Sequence, residues 1–289
     1  MRLTIEQQKE QQQKLVDLLR RVSDFFQRNN LRWWMAYGSA LGTVRHHGFI
    51  PWDDDLDIFM PYEDYVRLLN MKDEFLGEDF TLDIPFTENN CCIYAKIYDT
   101  NSTVWQVESY ESIIGLWIDI FPLFQSNMSI GEYKNAQCRL MNINNAYISG
   151  LRKPLFKDLA FFIKGGHVKT FIKWIKEMTY YKWELTNTIN EAETFLDSLN
   201  VPDGRFYIFP FSYSNVINRY PIEWFSETIE MQFEDIMVKM ASGYDKILKQ
   251  QYGDYMTLPP IEKRITHHSY YFIDLNRKVS KDEIKEMRL

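Results

Sequence analysis

The chain has 289 residues, 45% of them hydrophobic and 16% aromatic, enough for one large domain or one and a half around a substantial core. A net charge of −7 excludes general nucleic-acid binding, which needs a basic footprint. Its three cysteines, Cys91 beside Cys92 and Cys138 far away, make a poor disulfide framework, because sequence neighbours bridge badly and the count is odd; reduced thiols in a cytoplasmic chain are predicted. Met1 to Gln13 is Gln-rich and polar, unlike a signal peptide, and no stretch approaches a transmembrane span.

In chain order, Thr4 with Gln7 forms a capping box. Leu15, Val16, Leu18, Leu19, Val22, Phe25 and Phe26 then repeat at helical spacing, predicting a first helix that packs on a sheet. Arg32 to Tyr37 reads as a short strand, ended by Gly38-Ser39 before a helical Ala40 to Arg45. A helix starting there points unpaired N–H groups and its positive dipole end at an anion. Gly38 permits close approach, Ser39 caps the helix or binds phosphate, and Arg45 adds a planar cation.

The next segment, Trp52-Asp53-Asp54-Asp55-Leu56-Asp57-Ile58-Phe59-Met60, alternates acids with apolar residues. On a strand Asp55 and Asp57 share one face and Leu56 and Ile58 the other; Asp53 shares the parity of Asp55, and Asp54 faces elsewhere. Paired carboxylates repel unless a cation neutralises them, and oxygen ligands favour Mg²⁺ or Mn²⁺. An Asp run is most often a solvated loop, but apolar residues follow directly. An EF-hand loop needs Gly and Glu where Ile58 and Asp64 stand.

A helix is predicted from Tyr62 to Phe75, and Asp83 to Ile97 is strand-rich. Lys96, in the period-2 run Cys92 to Tyr98, is either a phosphate clamp or a snorkelling surface lysine. Asp119 is the single charge in the apolar run Gly115 to Pro122; a lone buried charge is expensive, which places it beside Asp55 and Asp57. Together the three acids predict metal-assisted phosphoryl transfer.

Ser129 to Leu151 reads as helix. The segment from Leu151 to Lys176 sets seven basic residues against Asp158 among bulky apolar ones. Two amphipathic helices broken at Gly165-Gly166 would lie on an anionic membrane surface, at the inner face of the cell membrane; the alternative is a helical pair packed on the core with solvated lysines. Beyond Pro202, strands are predicted over Arg205 to Tyr213 and Phe233 to Met240, a turn into strand at Pro221 to Phe225, and a helix over Tyr244 to Tyr252. A soft boundary near Phe124 to Ser129 separates a catalytic core, 1–126, from a helical and mixed region, 127–289, that completes the cleft.

Gly38-Ser39, Leu41 to His46 and Gly48 to Ile58 resemble the signature of the LicD family of phosphotransferases, which includes the fukutin-related proteins. The resemblance continues at Lys96-Ile97, Asn101, Ile118 to Pro122, Tyr244-Asp245, Leu248, Tyr252 to Met256 and Pro259-Pro260, and closes at Arg264 and His267 or His268. It implies an α+β fold, a nucleotidyltransferase-like mixed sheet flanked by helices with a further, mostly helical C-terminal region. It also implies transfer of phosphocholine from CDP-choline to a hydroxyl of a cell-envelope glycan of the teichoic acid or lipopolysaccharide type, with release of CMP; some relatives use CDP-activated ribitol or glycerol. By this resemblance Asp55 and Asp57 match the metal-binding Asp-x-Asp and Asp119 the third acid. Gly38, Ser39, Arg45, Lys96 and His268 are the candidate donor-binding residues; His267 and His268 either bind phosphate, relay a proton or occupy a polar loop. The partners implied are a CDP-activated donor and a glycan acceptor, free or lipid-linked. A nucleotidyltransferase attacking the α-phosphorus of an NTP, and a non-catalytic glycan- or nucleotide-binding protein, are the competing readings.

Overall fold

The computed structural model describes residues 3–75, 79–87, 89–110, 112–151, 169, 171–172, 175–176, 179, 183–212, 216–266 and 268–287. Most of the expected membrane-surface segment 151–176 lies outside these residues, as does His267.

The capping box forms as read: Thr4 Oγ1 accepts the Gln7 N–H at 3.2 Å and Gln7 Oε1 accepts the Thr4 N–H at 3.0 Å, opening α1 (Ile5–Arg28). The apolar stripe of α1 is buried from Leu15 to Phe26. Each such side chain contributes roughly 1.5–3 kcal/mol on burial, so packing rather than propensity holds the helix.

The strands in chain order are β1 (Trp34–Met35), β2 (Leu56–Pro61), β3 (Phe80–Asp83), β4 (Ala95–Asp99), β5 (Thr103–Trp105), β6 (Ile113–Ile114), β7 (Trp117–Ser126), β8 (Phe206–Ile208), β9 (Arg219–Pro221), β10 (Thr228–Phe233), β11 (Ile236–Ala241) and β12 (Phe272–Asp274). The main sheet runs β1-β2-β7-β4-β3, with β8 and then β9 added at the far end of β7. Only β2 and β7 are parallel among its described pairings, which makes the sheet mixed and the fold α+β. The small sheet β12-β5-β6 and the hairpin β10-β11 flank it. The other helices are α2 (Tyr37–His46), α3 (Tyr62–Asn70), α4 (Ile130–Leu151), α5 (Leu185–Leu199), α6 (Tyr244–Tyr252) and α7 (Lys281–Met287).

Strand alternation sorts the sheet into two chemistries. Leu56, Ile58, Met60, Ala95, Ile97, Ile118 and Ile120 join the stripe of α1 in one apolar core. On the opposite parity, Phe59, Phe121 and Leu123 pack with Tyr133 and Leu140 of α4 and Leu199 of α5. The same parity carries Asp57 and Asp119 at the N-terminal ends of β2 and β7.

Several expected elements differ in extent. Helix α2 begins at Tyr37, not Ala40, so Gly38 and Ser39 lie in its first turn. The expected helix from Tyr62 to Phe75 breaks at Met71 and ends as a 3₁₀ turn over Lys72–Phe75. Phe233 to Met240 is not one strand: Glu234 adopts φ +52° and turns the chain from β10 into β11. Pro221 to Phe225 turns as expected, through a 3₁₀ turn (Ile222–Phe225) that leads into β10.

Candidate active site

The parallel pairing of β2 with β7 sets Asp57 opposite Asp119, and the antiparallel pairing of β7 with β4 sets Asp119 opposite Lys96. Registered partners share a face, so these three side chains stand in a row. Asp55, one residue before β2, joins them: Asp55, Asp57 and Asp119 each bring a carboxylate oxygen within 4.8 Å of the others. Lys96 ion-pairs with Asp119, both buried, and its ammonium lies 4.9 Å from the Trp117 ring centre and 5.3 Å from that of Tyr94. Burial pulls the Lys96 pKa down, but the Asp119 charge outweighs it and leaves the pKa above the ordinary lysine range. A snorkelling surface lysine is thereby excluded.

Burial, then repulsion from Asp55, Asp119 and Asp53, holds the Asp57 carboxyl well above the usual range. Burial also raises Asp55, against the lowering charge of His268. Asp53 is raised by burial and by Asp55 and Asp54. Such a cluster carries more negative charge than its surroundings neutralise. Three converging oxygen donors of this kind fit a hard divalent cation, and Asp55, Asp57 and Asp119 would hold it.

Ser39 does not cap the helix. The N-cap position of α2 is Ala36, without a side-chain bond, and the Ser39 Oγ, buried, accepts the Asp57 N–H at 2.9 Å. Ser39 thus ties the first turn of α2 to the start of β2 and aims Asp57. Gly38 does admit an anion, but here it is Asp53: a Cβ at Gly38 would lie 2.6 Å from Asp53 Oδ2. Arg45 faces the cleft, its Nη1 donating to the Tyr255 carbonyl at 2.7 Å.

Asp54 precedes β2, where strand alternation does not govern it, and it brings a carboxylate oxygen within 4.8 Å of ligand atoms of Asp55 and His268, a partner from the C-terminal region. His268 Nδ1 lies 2.9 Å from Asp54 Oδ1, and its Nε2 lies 3.8 Å from Asp55 Oδ2. Burial lowers the His268 pKa, but the Asp54 bond and the charges of Asp55, Asp54 and Asp119 raise it to about 9. Tyr270 donates to Asp54 Oδ2 at 3.0 Å and accepts from Gln11 Nε2 at 3.0 Å. Tyr270 escaped sequence reasoning because nothing local marks a partner 216 positions away.

The N-terminal glutamines carry a further unread role. Gln11 Nε2 donates to the Asp54 carbonyl at 2.8 Å and Gln12 Nε2 to the Asp53 carbonyl at 2.8 Å, with Gln8 reaching Asp53 at 3.3 Å. Positions 8, 11 and 12 share one helix face, a spacing that could have revealed the clamp. From the other side, Glu234 Oε1 accepts the Phe49 N–H at 2.9 Å and the Glu234 N–H donates to the His47 carbonyl at 2.7 Å. Gly48 has no Cβ to obstruct this approach. Asp53, Asp55 and Asp57 open onto a cleft of about 510 Å³ that Trp52, Arg45, Tyr252, Tyr255 and Lys263 also line.

The mixed sheet thus presents converging aspartates beside the start of α2. Residues 30–163 match the family model described as LicD/FKTN/FKRP, nucleotidyltransferase domain. It is 24% identical to the lipopolysaccharide cholinephosphotransferase LicD of Haemophilus influenzae, over 90% of this chain and 95% of that protein. An uncharacterized protein of Rickettsia prowazekii is 35% identical over 27% of this chain and 29% of its own length. The mannosyltransferase regulator 4 of Saccharomyces cerevisiae is 22% identical over 46% of this chain and 12% of its own length.

Proposed function

We propose that this protein transfers phosphocholine from CDP-choline to a hydroxyl of a cell-envelope glycan and releases CMP. The observation that carries this reading is the convergence of Asp55, Asp57 and Asp119 within 4.8 Å at a cleft edged by Arg45. Similarity along nearly the whole chain to a lipopolysaccharide cholinephosphotransferase supports the choice of phosphocholine and of a glycan acceptor.

A divalent cation held by the three aspartates would supply Lewis-acid neutralisation of the donor diphosphate. Arg45, fixed by the Tyr255 carbonyl and lining the same cleft as Asp55 and Asp57, would meet the donor phosphates. His268, cationic at neutral pH and clamped by Asp54, adds positive charge beside Asp55. The acceptor oxygen attacks the phosphorus that bears choline, the bond from that phosphorus to the bridging oxygen breaks, and CMP departs with the electron pair. Where the cation leaves an oxygen of Asp119 unsaturated, that carboxylate takes the acceptor proton. A lipid-linked acceptor would meet the enzyme at the membrane, a role that the basic and apolar residues of 151–176 support; among the described residues no helix is long and apolar enough to cross a membrane.

The test is incubation with CDP-choline, CDP-ribitol or CDP-glycerol and Mg²⁺ or Mn²⁺, with CMP followed in the presence and absence of glycan acceptor. Acceptor-dependent CMP from CDP-choline alone is the expected result. Preference for a CDP-alditol moves the donor, pyrophosphate release from an NTP replaces the reading with nucleotidyl transfer, and no cation-dependent turnover with any donor leaves a binding protein.

A further inference from the structure

Asp83 has no part in the site described so far, yet it completes the charged row. β3 pairs with β4 so that Asp83 stands opposite Lys96. Lys96 therefore has an aspartate on either side, Asp119 from β7 and Asp83 from β3. The two carboxylates of Asp83 and Asp119 are not equally engaged. Asp119 holds the ammonium. Asp83, only 8% exposed, accepts the Thr87 hydroxyl at 2.7 Å through Oδ1, while its buried Oδ2 has no hydrogen-bond partner among the described residues.

A buried carboxylate oxygen without a donor is costly, and so is an ammonium deprived of its counter-ion away from water. The first condition already holds at Asp83 Oδ2, and the second arises as soon as Asp119 shares its charge with a second cation, because Lys96 and that cation then repel across one carboxylate. The backbone around Asp83 is already set: the buried Asn90 side chain donates to the carbonyls of Asp83 at 3.2 Å and Tyr94 at 2.8 Å. Neighbouring strands lie about 4.8 Å apart, so a four-carbon lysine stem on the middle strand reaches either side by rotation about its own bonds.

We propose that Asp83 is a second counter-ion for Lys96, receiving the ammonium on its free oxygen when Asp119 turns to a divalent cation. Asp83 is thus a positioning residue that frees Asp119 without leaving a buried lysine unpaired. The inference rests on the metal reading of Asp55, Asp57 and Asp119.

Mn²⁺ binding to the full chain, read by electron paramagnetic resonance, tests it. Asp83→Asn is expected to bind Mn²⁺ roughly 10- to 100-fold more weakly than wild type, the usual effect of losing a partner behind a ligating carboxylate. In a Lys96→Met background the same substitution should cost nothing further, because its effect passes through Lys96. Unchanged Mn²⁺ affinity in Asp83→Asn overturns the proposal, and so does an equal loss in both backgrounds, which would mark a direct charge effect. A Mn²⁺-loaded structure of the wild-type protein decides it without any variant: Lys96 Nζ bonded to Asp83 supports the exchange, and Lys96 still on Asp119 ends it. Wild-type protein that binds no Mn²⁺ removes the metal reading together with this inference, whereas binding indifferent to Asp83 removes this inference alone.

Discussion

At the scale of single residues, the site is a problem of unbalanced charge. Asp57 is held in place by the Ser39 hydroxyl on its N–H and pushed toward protonation by burial and three neighbouring acids. Asp57→Asn keeps the shape and removes one of the repelling charges. It is expected to lower CMP release by roughly 100- to 1,000-fold, the several kcal/mol that a metal ligand contributes, while the melting temperature stays level or rises. Loss of activity with a collapsed melting temperature would instead make Asp57 structural. The paired readouts are CMP formation and thermal unfolding of the same preparation.

At the scale of elements, two devices place the acids. Strand register aligns Asp57, Asp119, Lys96 and Asp83, and the glutamine face of α1 holds the carbonyls of Asp53 and Asp54. Gln11→Leu keeps the volume but strips donors from the Asp54 carbonyl and the Tyr270 hydroxyl; a loss of about 1–3 kcal/mol in urea unfolding is expected. Asp83 gives the element its pH response. Burial pushes its carboxyl up, with the Thr87 bond and the Lys96 charge opposing. A carboxyl raised in the folded state contributes its full stability below its unfolded pKa, about 3.9, and loses it as pH climbs through the folded value. In metal-free protein, Asp83→Asn should therefore match wild type near pH 4 and exceed it in urea midpoint at pH 7. A gap that narrows toward pH 7 contradicts this sign.

For the whole molecule, the N-terminal helix, the sheet, the β10-β11 turn and the C-terminal His268 and Tyr270 all close on residues 47–57. A ligand of that point stabilises the folded chain by mass action, about 2.7 kcal/mol at a hundredfold excess over its dissociation constant. Mg²⁺ or Mn²⁺ should raise the melting temperature of the wild-type protein, EDTA should reverse the rise, and Asp57→Asn should show little of it. A cation response that survives unchanged in Asp57→Asn would place the ion elsewhere.

Much of this was legible along the chain because it depends on short-range rules. The capping box, the stripe of α1, and the alternation of Asp55 and Asp57 with Leu56 and Ile58 follow from helix and strand periods that neighbouring residues enforce by themselves. The cost of one charge in the apolar run around Asp119 likewise located a third acid. Only the tertiary structure decided who meets whom: Lys96 with Asp119, Ser39 with the Asp57 N–H, Asp54 with His268 and Tyr270, Glu234 with Phe49. Those pairings depend on cross-strand register and on burial, which are set by packing between segments far apart in the chain and leave no periodic trace in either one.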